Sequence, residues 1–94
     1  MSTNRTFEFA PDLERMRRTL EALSSADVGG TPRGGVDRPA LSEADRVVRD
    51  RFANMLADLG LEVRVDEVGS MYGRRAGTDP DEAPVLVGSH LDTV

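Results

Sequence analysis

Residues 42–59, SEADRVVRDRFANMLADL, constrain the fold most, because apolar side chains recur there at helical spacing between a clear start and a clear stop. Ser42 can cap the start, and Asp45 holds the capping-box position that Glu or Gln usually fills. Gly60 can take the left-handed conformation that ends a helix, after which Leu61 can pack on Leu56. The pattern predicts one amphipathic helix whose apolar face consists of Ala44, Val47, Val48, Phe52, Met55, Leu56 and Leu59.

The chain before this helix predicts a second helix and a loop. Residues 12–25, DLERMRRTLEALSS, carry an apolar stripe at helical spacing, and Asp12 can serve as the N-cap. Residues 28–39, VGGTPRGGVDRP, contain four glycines and two prolines, which predicts a loop, either ordered or flexible. This loop does not match the GxxxxGK[ST] phosphate-binding motif. The stripe of the first helix consists of Leu13, Met16, Leu20 and Leu23.

The chain after the helix predicts strands. Residues 61–68 alternate between apolar and polar side chains, as in a half-buried strand, and residues 71–77 form a plausible second strand. Residues 77–84 predict a surface turn. The short apolar run at 84–88, PVLVG, predicts a strand that is buried on both faces.

Helix, loop, helix, strand, strand and buried strand is an α/β order of elements. Ligands of open α/β sheets bind beyond the carboxyl ends of strands. Ser89, His90 and Asp92 follow the last predicted strand at such an end. They are therefore the candidate functional residues.

Composition narrows the class of protein further. A chain of 94 residues makes at most one small domain, and without cysteine it has neither disulfides nor thiolate metal sites. A net charge of −5 argues against a nucleic-acid partner. No apolar run is long enough to span a membrane, and residues 1–20 lack the order of a signal peptide. These features favour a cytoplasmic protein without a membrane partner.

His90 is the single histidine, and Asp92 lies two residues after it. A neutral imidazole binds zinc well through one nitrogen, and a carboxylate can hold the other nitrogen and fix the ring. On spacing alone the signal is weak, because a lone histidine near a strand end is more often hydrogen-bonded for structural reasons than bound to a metal ion. A serine-hydrolase triad of Ser89, His90 and Asp92 is disfavoured, because adjacent side chains point apart and no nucleophile elbow is present.

Longer blocks of sequence carry a more specific signal than this spacing does. PVLVGSHLDTV resembles the GSHxDT signature of the dinuclear-zinc amidohydrolase and aminopeptidase clan. With GGTPRGGVDRPALSEADRVVRDRF and LGLEVRVDEVGSMYGRR before it, the chain resembles the N-carbamoyl-L-amino-acid hydrolase and allantoate amidohydrolase branch, the hydantoinase/carbamoylase family. Ser70 stands where relatives commonly have an asparagine. The resemblance extends from about residue 12 to the end.

The resemblance implies a fold and roles for residues. The fold would be the N-terminal part of a zinc-exopeptidase-like catalytic domain at residues 1–94, with two helices followed by strands of a mixed sheet. His90 would be a metal ligand, and Asp92 the catalytic-site aspartate that orients it. The family implies two divalent metal ions, zinc foremost, with manganese, cobalt or nickel as substitutes.

The resemblance also implies a reaction. Metal-activated water would hydrolyse non-peptide C–N bonds of small carbamoyl, ureido or allantoate-type substrates. The remaining ligands, the general-base glutamate and the dimerisation domain of such homodimeric enzymes have no counterpart in these 94 residues, which predicts that the chain alone is inactive. An aminoacylase or dipeptidase of the same clan, and a non-catalytic truncated α/β protein, are the alternatives.

Overall fold

The structure is a computed structural model that describes residues 9–94. Residues 1–8, which belong to the N-terminal segment that lacks the order of a signal peptide, lie outside the described residues. The elements are α1 (Leu13–Ala22), a 3-10 turn (Ala26–Val28), α2 (Glu43–Asp58), β1 (Glu62–Val65) and β2 (Met71–Arg74). None of the helices in residues 9–94 is long and apolar enough to cross a membrane.

The predicted boundaries of α2 are confirmed. Ser42 Oγ accepts from the Asp45 N–H at 3.1 Å, and an Asp45 carboxylate oxygen accepts from the Leu41 N–H at 3.0 Å. At the other end, Gly60 has φ 77°, and the Leu61 N–H donates to the Leu56 carbonyl at 3.1 Å. Both ends of the helix are therefore fixed by the residues that the sequence pattern singled out.

The core lies between α2, the 3-10 turn and a β-hairpin. Val28 and Val48 are fully buried, and Leu56 is nearly so. β1 pairs with β2 in antiparallel fashion, with Val63 opposite Gly73. A Cβ at Gly73 would lie 2.6 Å from Leu56 Cδ2 and 3.0 Å from Leu61 Cδ1, so this glycine lets the end of α2 pack against the sheet.

The turn of the hairpin is organised by Asp66. Its Oδ1 accepts from the Val68 N–H at 3.0 Å and from the Ser70 N–H at 2.9 Å, and its Oδ2 accepts from the Tyr72 hydroxyl at 3.2 Å. These donors, the Ser70 N–H foremost, hold the pKa of the Asp66 carboxyl below its ordinary value. Strand β1 ends at Val65 and not at residue 68, because the side chain of Asp66 begins the turn.

The glycine-rich segment is ordered. The Asp37 N–H donates to the Gly29 carbonyl at 2.8 Å, and Gly30 forms an isolated antiparallel bridge with Val36. The Gly30 N–H donates to the Ser25 carbonyl at 2.9 Å. This hydrogen bond holds the loop against the residues that connect α1 to the 3-10 turn. Of the two alternatives that the sequence left open, the structure has the ordered loop.

The α/β order, with two helices before the strands, is confirmed, and two details differ. The sheet of residues 9–94 is a two-stranded antiparallel hairpin. The predicted buried strand at 84–88 is wrong for these residues: the segment is in no strand, and Val85, Leu86 and Val87 are 92%, 78% and 89% exposed. A strand needs neighbours that pair with its N–H and C=O groups, and no strand of the described residues lies beside it.

The apolar stripe of α1 forms as predicted, and among residues 9–94 three of its four side chains are exposed. Asp12 caps the helix, its Oδ1 accepting from the Arg15 N–H at 2.9 Å. Leu13, Met16 and Leu20 are 70%, 53% and 65% exposed, and α1 buries none of its residues. The helix ends at Ala22, three residues before its predicted end.

Candidate functional site

The candidate site is the C-terminal segment 88–94, which runs past the buried residue Arg38. Thr93 makes two hydrogen bonds to Arg38: its N–H donates to the Arg38 carbonyl at 2.7 Å, and its Oγ1 accepts from the Arg38 N–H at 2.8 Å. The Arg38 guanidinium Nε donates to the Leu91 carbonyl at 2.8 Å. The segment contains no helix or strand, so these contacts hold it against the rest of the chain.

His90 projects from this segment into solvent, with its side chain 76% exposed. Its Nδ1 lies 2.7 Å from the backbone carbonyl oxygen of Asp92. Because a carbonyl oxygen only accepts hydrogen bonds, this contact places a proton on Nδ1, and in the neutral ring Nε2 then keeps its lone pair. The contact therefore favours the neutral tautomer that can bind a metal ion through Nε2.

The carboxylate of Asp92 lies near the same ring without bonding to it. Asp92 Oδ1 is 3.6 Å from His90 Nδ1, which is too long for a hydrogen bond, and the Asp92 side chain is 46% exposed. The predicted pair of His90 and Asp92 is thus brought together, but the atom of Asp92 that holds the ring is its backbone oxygen. The role of the carboxylate stays a prediction.

Ser89, the third candidate residue, does not join the pair. Among residues 9–94, the Ser89 hydroxyl makes no hydrogen bond to His90 or to Asp92. This agrees with the argument from sequence against a serine-hydrolase triad.

The side chains of the candidate site fit a single metal ligand, which is His90. Within the described part of the chain, no three His, Cys, Asp or Glu side chains converge so that they could hold a metal ion. A catalytic zinc site takes about three protein ligands. His90 therefore fits as a single ligand whose companions would have to come from other residues.

Sequence reasoning missed Arg38. Its guanidinium contacts are with backbone carbonyls of Leu23, Val28 and Leu91, which are distant in the chain and carry no side-chain signal. The one local sequence feature that bears on Arg38 is Pro39, because a proline favours an extended backbone in the residue before it.

Known proteins resemble this chain over most of its length. It is 42% identical over 81 residues to the N-carbamoyl-L-amino acid amidohydrolase of Geobacillus stearothermophilus, which is 86% of this chain and 19% of that protein. It is also 42% identical over 81 residues to the allantoate amidohydrolase of Escherichia coli K12, with the same shares of 86% and 19%. The chain thus spans about a fifth of the length of these curated relatives.

A solved structure agrees with these similarities. The crystal structure of a hydantoinase/carbamoylase family amidase from Burkholderia ambifaria is 50% identical, with a TM-score of 0.81 over 87% of this chain and 20% of that chain. No protein-family model matches the sequence. The resemblance drawn from the sequence blocks is confirmed by relatives and by structure alike, and the chain belongs to the hydantoinase/carbamoylase family of amidohydrolases.

Proposed function

We propose that the protein is a metal-dependent hydrolase of the non-peptide C–N bond in N-carbamoyl amino acids, ureido compounds or allantoate-type substrates. In this proposal residues 1–94 are the N-terminal portion of the catalytic domain. The observation that carries the proposal is the contact of His90 Nδ1 with the Asp92 carbonyl oxygen at 2.7 Å, on a side chain that is 76% exposed. The relatives that match the chain are named as amidohydrolases of such substrates.

Membership of an amidohydrolase family supports a metal centre that would include the same residue. We propose two divalent ions, zinc foremost, with manganese, cobalt or nickel as substitutes, and with His90 Nε2 as one ligand. Divalent metal there would polarise the substrate carbonyl and lower the pKa of water.

Asp92 would act on His90 in two ways. Its backbone oxygen keeps the proton on Nδ1, and its carboxylate, 3.6 Å from the same nitrogen, would stabilise the partial positive charge of a coordinated imidazole. A small movement of this half-exposed carboxylate would make it a direct acceptor of the Nδ1 proton. Asp92 is thus the catalytic-site residue that sets the orientation and basicity of the ligand.

We further propose that the whole protein is a cytoplasmic enzyme with a small-molecule substrate. The whole enzyme would be a homodimer, with no nucleic-acid or membrane partner. The net charge of −5 supports the exclusion of nucleic acid. The 94-residue chain by itself would be inactive, since it supplies one histidine ligand.

A chimera tests the proposal. The matched segment of 81 residues in the Geobacillus enzyme would be replaced by the corresponding residues of this chain, and release of free amino acid from N-carbamoyl-L-amino acids would be measured. We expect an active chimera. His90→Ala should lower kcat/KM by at least about 100-fold and lower the metal content, whereas Asp92→Asn should weaken metal binding about 10- to 100-fold.

The matched control is Asp50→Asn, which neutralises an exposed carboxylate of α2 that pairs with Arg46. It should leave activity and metal content within about twofold of the chimera, because an exposed ion pair contributes less than about 1 kcal/mol. An active chimera whose His90→Ala variant keeps its metal and its rate would overturn the proposal.

A further inference from the structure

Arg38 is a buried charge that has no ion-pair partner among residues 9–94. The residue is 6% exposed, and within residues 9–94 no carboxylate lies close enough to form an ion pair with it. Its Nε donates to the Leu91 carbonyl, and one terminal nitrogen donates to the carbonyls of Leu23 at 2.9 Å and Val28 at 2.7 Å. A buried charge is costly unless it is fully hydrogen-bonded, so these three carbonyls are what keep the guanidinium in the interior.

The backbone of Arg38 acts on the same segment as its side chain. The Thr93 N–H, which donates to the Arg38 carbonyl, belongs to the peptide group between Asp92 and Thr93. The oxygen of that same peptide group is the one that accepts from His90 Nδ1. Since a peptide group is planar and rigid, the hydrogen bond at its N–H fixes the direction of its carbonyl oxygen.

We infer that Arg38 is a positioning residue that sets the ring orientation and tautomer of His90 by holding the peptide groups on both sides of Asp92. The side chain fixes the Leu91 carbonyl before Asp92, and the backbone fixes the Thr93 N–H after it. The guanidinium also donates to the carbonyls of Leu23, at the end of α1, and Val28, in the 3-10 turn. Arg38 therefore connects the segment that carries His90 to both of these elements. The significance of this for a metal site rests on the proposed function.

Lysine tests the inference, because it keeps the charge but lacks the planar fork that reaches three carbonyls. The 94-residue chain, with nitrogen-15 in its single histidine, would be compared in wild-type form and as Arg38→Lys at about two pH units above the ordinary imidazole pKa of ~6.5. In the wild type we expect the ring proton on Nδ1. In Arg38→Lys we expect a mixture of tautomers and hydrogen exchange at the Thr93 amide that is at least about 10-fold faster.

Arg51→Lys is the matched control. Arg51 also donates to backbone and side chains near the end of α1, namely to Ala22, Ser25 and Asp27, but it makes no hydrogen bond to residues 88–94. It should leave the His90 tautomer and the Thr93 exchange rate as in the wild type. An Arg38→Lys variant that matches the wild type, or an Arg51→Lys variant that shows the same losses as Arg38→Lys, would overturn the inference.

A second variant covers the case in which Arg38→Lys does not fold. Thr93→Val removes the hydroxyl that accepts from the Arg38 N–H and keeps the shape of the side chain. It should shift the His90 tautomer in the same direction, and an unchanged tautomer would count against the inference. These readouts need neither metal nor substrate, so they can succeed even where the chimera shows that the proposed hydrolase activity is wrong.

Discussion

Gly30 shows at the scale of one residue why the glycine-rich loop is ordered. A Cβ at this position would lie 2.0 Å from the Ser24 carbonyl oxygen and 2.8 Å from two backbone atoms of Ser25. Backbone atoms cannot yield as a flexible side chain can. The absence of a side chain is therefore what lets the loop lie directly against the end of α1.

Gly30→Ala should destabilise the chain by about 2–3 kcal/mol, because the added methyl group forces the two backbone segments apart. Gly35→Ala is the control in the same loop, since a Cβ there meets only Thr31 Oγ1 at 3.8 Å. It should change the free energy of unfolding by less than about 0.5 kcal/mol. Urea unfolding followed by helical circular dichroism measures both, and equal losses in the two variants would contradict the close approach at Gly30.

Leu41 carries backbone strain that its side chain does not offset. It has φ 67°, in the left-handed region, and it is 99% exposed. Asparagine tolerates this region better than leucine, so Leu41→Asn should stabilise the chain by about 0.5–1 kcal/mol. Leu41→Val, a β-branched residue, should destabilise it under the same urea titration. A loss of stability in Leu41→Asn would show that the leucine side chain has a contact that compensates the strain.

Individual residues differ in how far the sequence predicts their roles. His90 can be predicted as a candidate ligand, because an imidazole binds zinc well and the GSHLDTV segment resembles a signature of metal-dependent hydrolases. Arg38 cannot, because its partners are carbonyl oxygens that every residue possesses. In the structure the backbone oxygen of Asp92 lies 2.7 Å from His90 Nδ1 and its carboxylate lies 3.6 Å from the same atom. Which of the two oxygens lies nearer depends on local dihedral angles, and the role of the carboxylate stays a prediction.

The secondary-structure elements were predicted best where the chain marks their ends. α2 has its cap, its helical stripe and its terminal glycine within one stretch of sequence, and all three are local signals. The hairpin was predicted with strands that are too long, since the turn residue Asp66 also fits the polar face of an alternating strand. Residues 84–88 were predicted wrongly, because an apolar run indicates burial but does not supply the neighbouring strand.

The turn between β1 and β2 should depend on pH through Asp66. Its folded-state pKa lies below the ordinary value of about 3.9, so its contribution to stability is present above that pH and is lost as the pH falls through the folded pKa. The amide protons of Val68 and Ser70, which donate to this carboxylate, should titrate with a midpoint below about 3.9. Asp66→Asn should abolish the titration, and a midpoint above the ordinary value would contradict the bonding seen at the turn.

At the scale of the whole molecule, two groups of exposed apolar side chains stand out among residues 9–94. One is the stripe of α1, and the other is the extended run at 85–87. The 81 matched residues make up 19% of the length of each of the two relatives from Geobacillus and Escherichia coli. We expect that in a protein of that length further polypeptide covers both surfaces and supplies strands beside residues 84–88, which is the setting that the apolar run in the sequence indicates.

The 94-residue chain should therefore associate as its concentration rises, because the exposed run at 85–87 offers unpaired backbone groups and apolar side chains to a second copy. Leu86→Lys should reduce this association at least about 10-fold, because a charge within the exposed run opposes its pairing with a second copy. Val68→Lys is the control: Val68 is 87% exposed, like the residues of the run, but lies in the hairpin turn and should leave association unchanged. Sedimentation velocity over a range of concentrations measures the effect. A wild-type chain that stays monomeric throughout, or equal effects of the two lysines, would show that the run at 85–87 does not pair with a second copy.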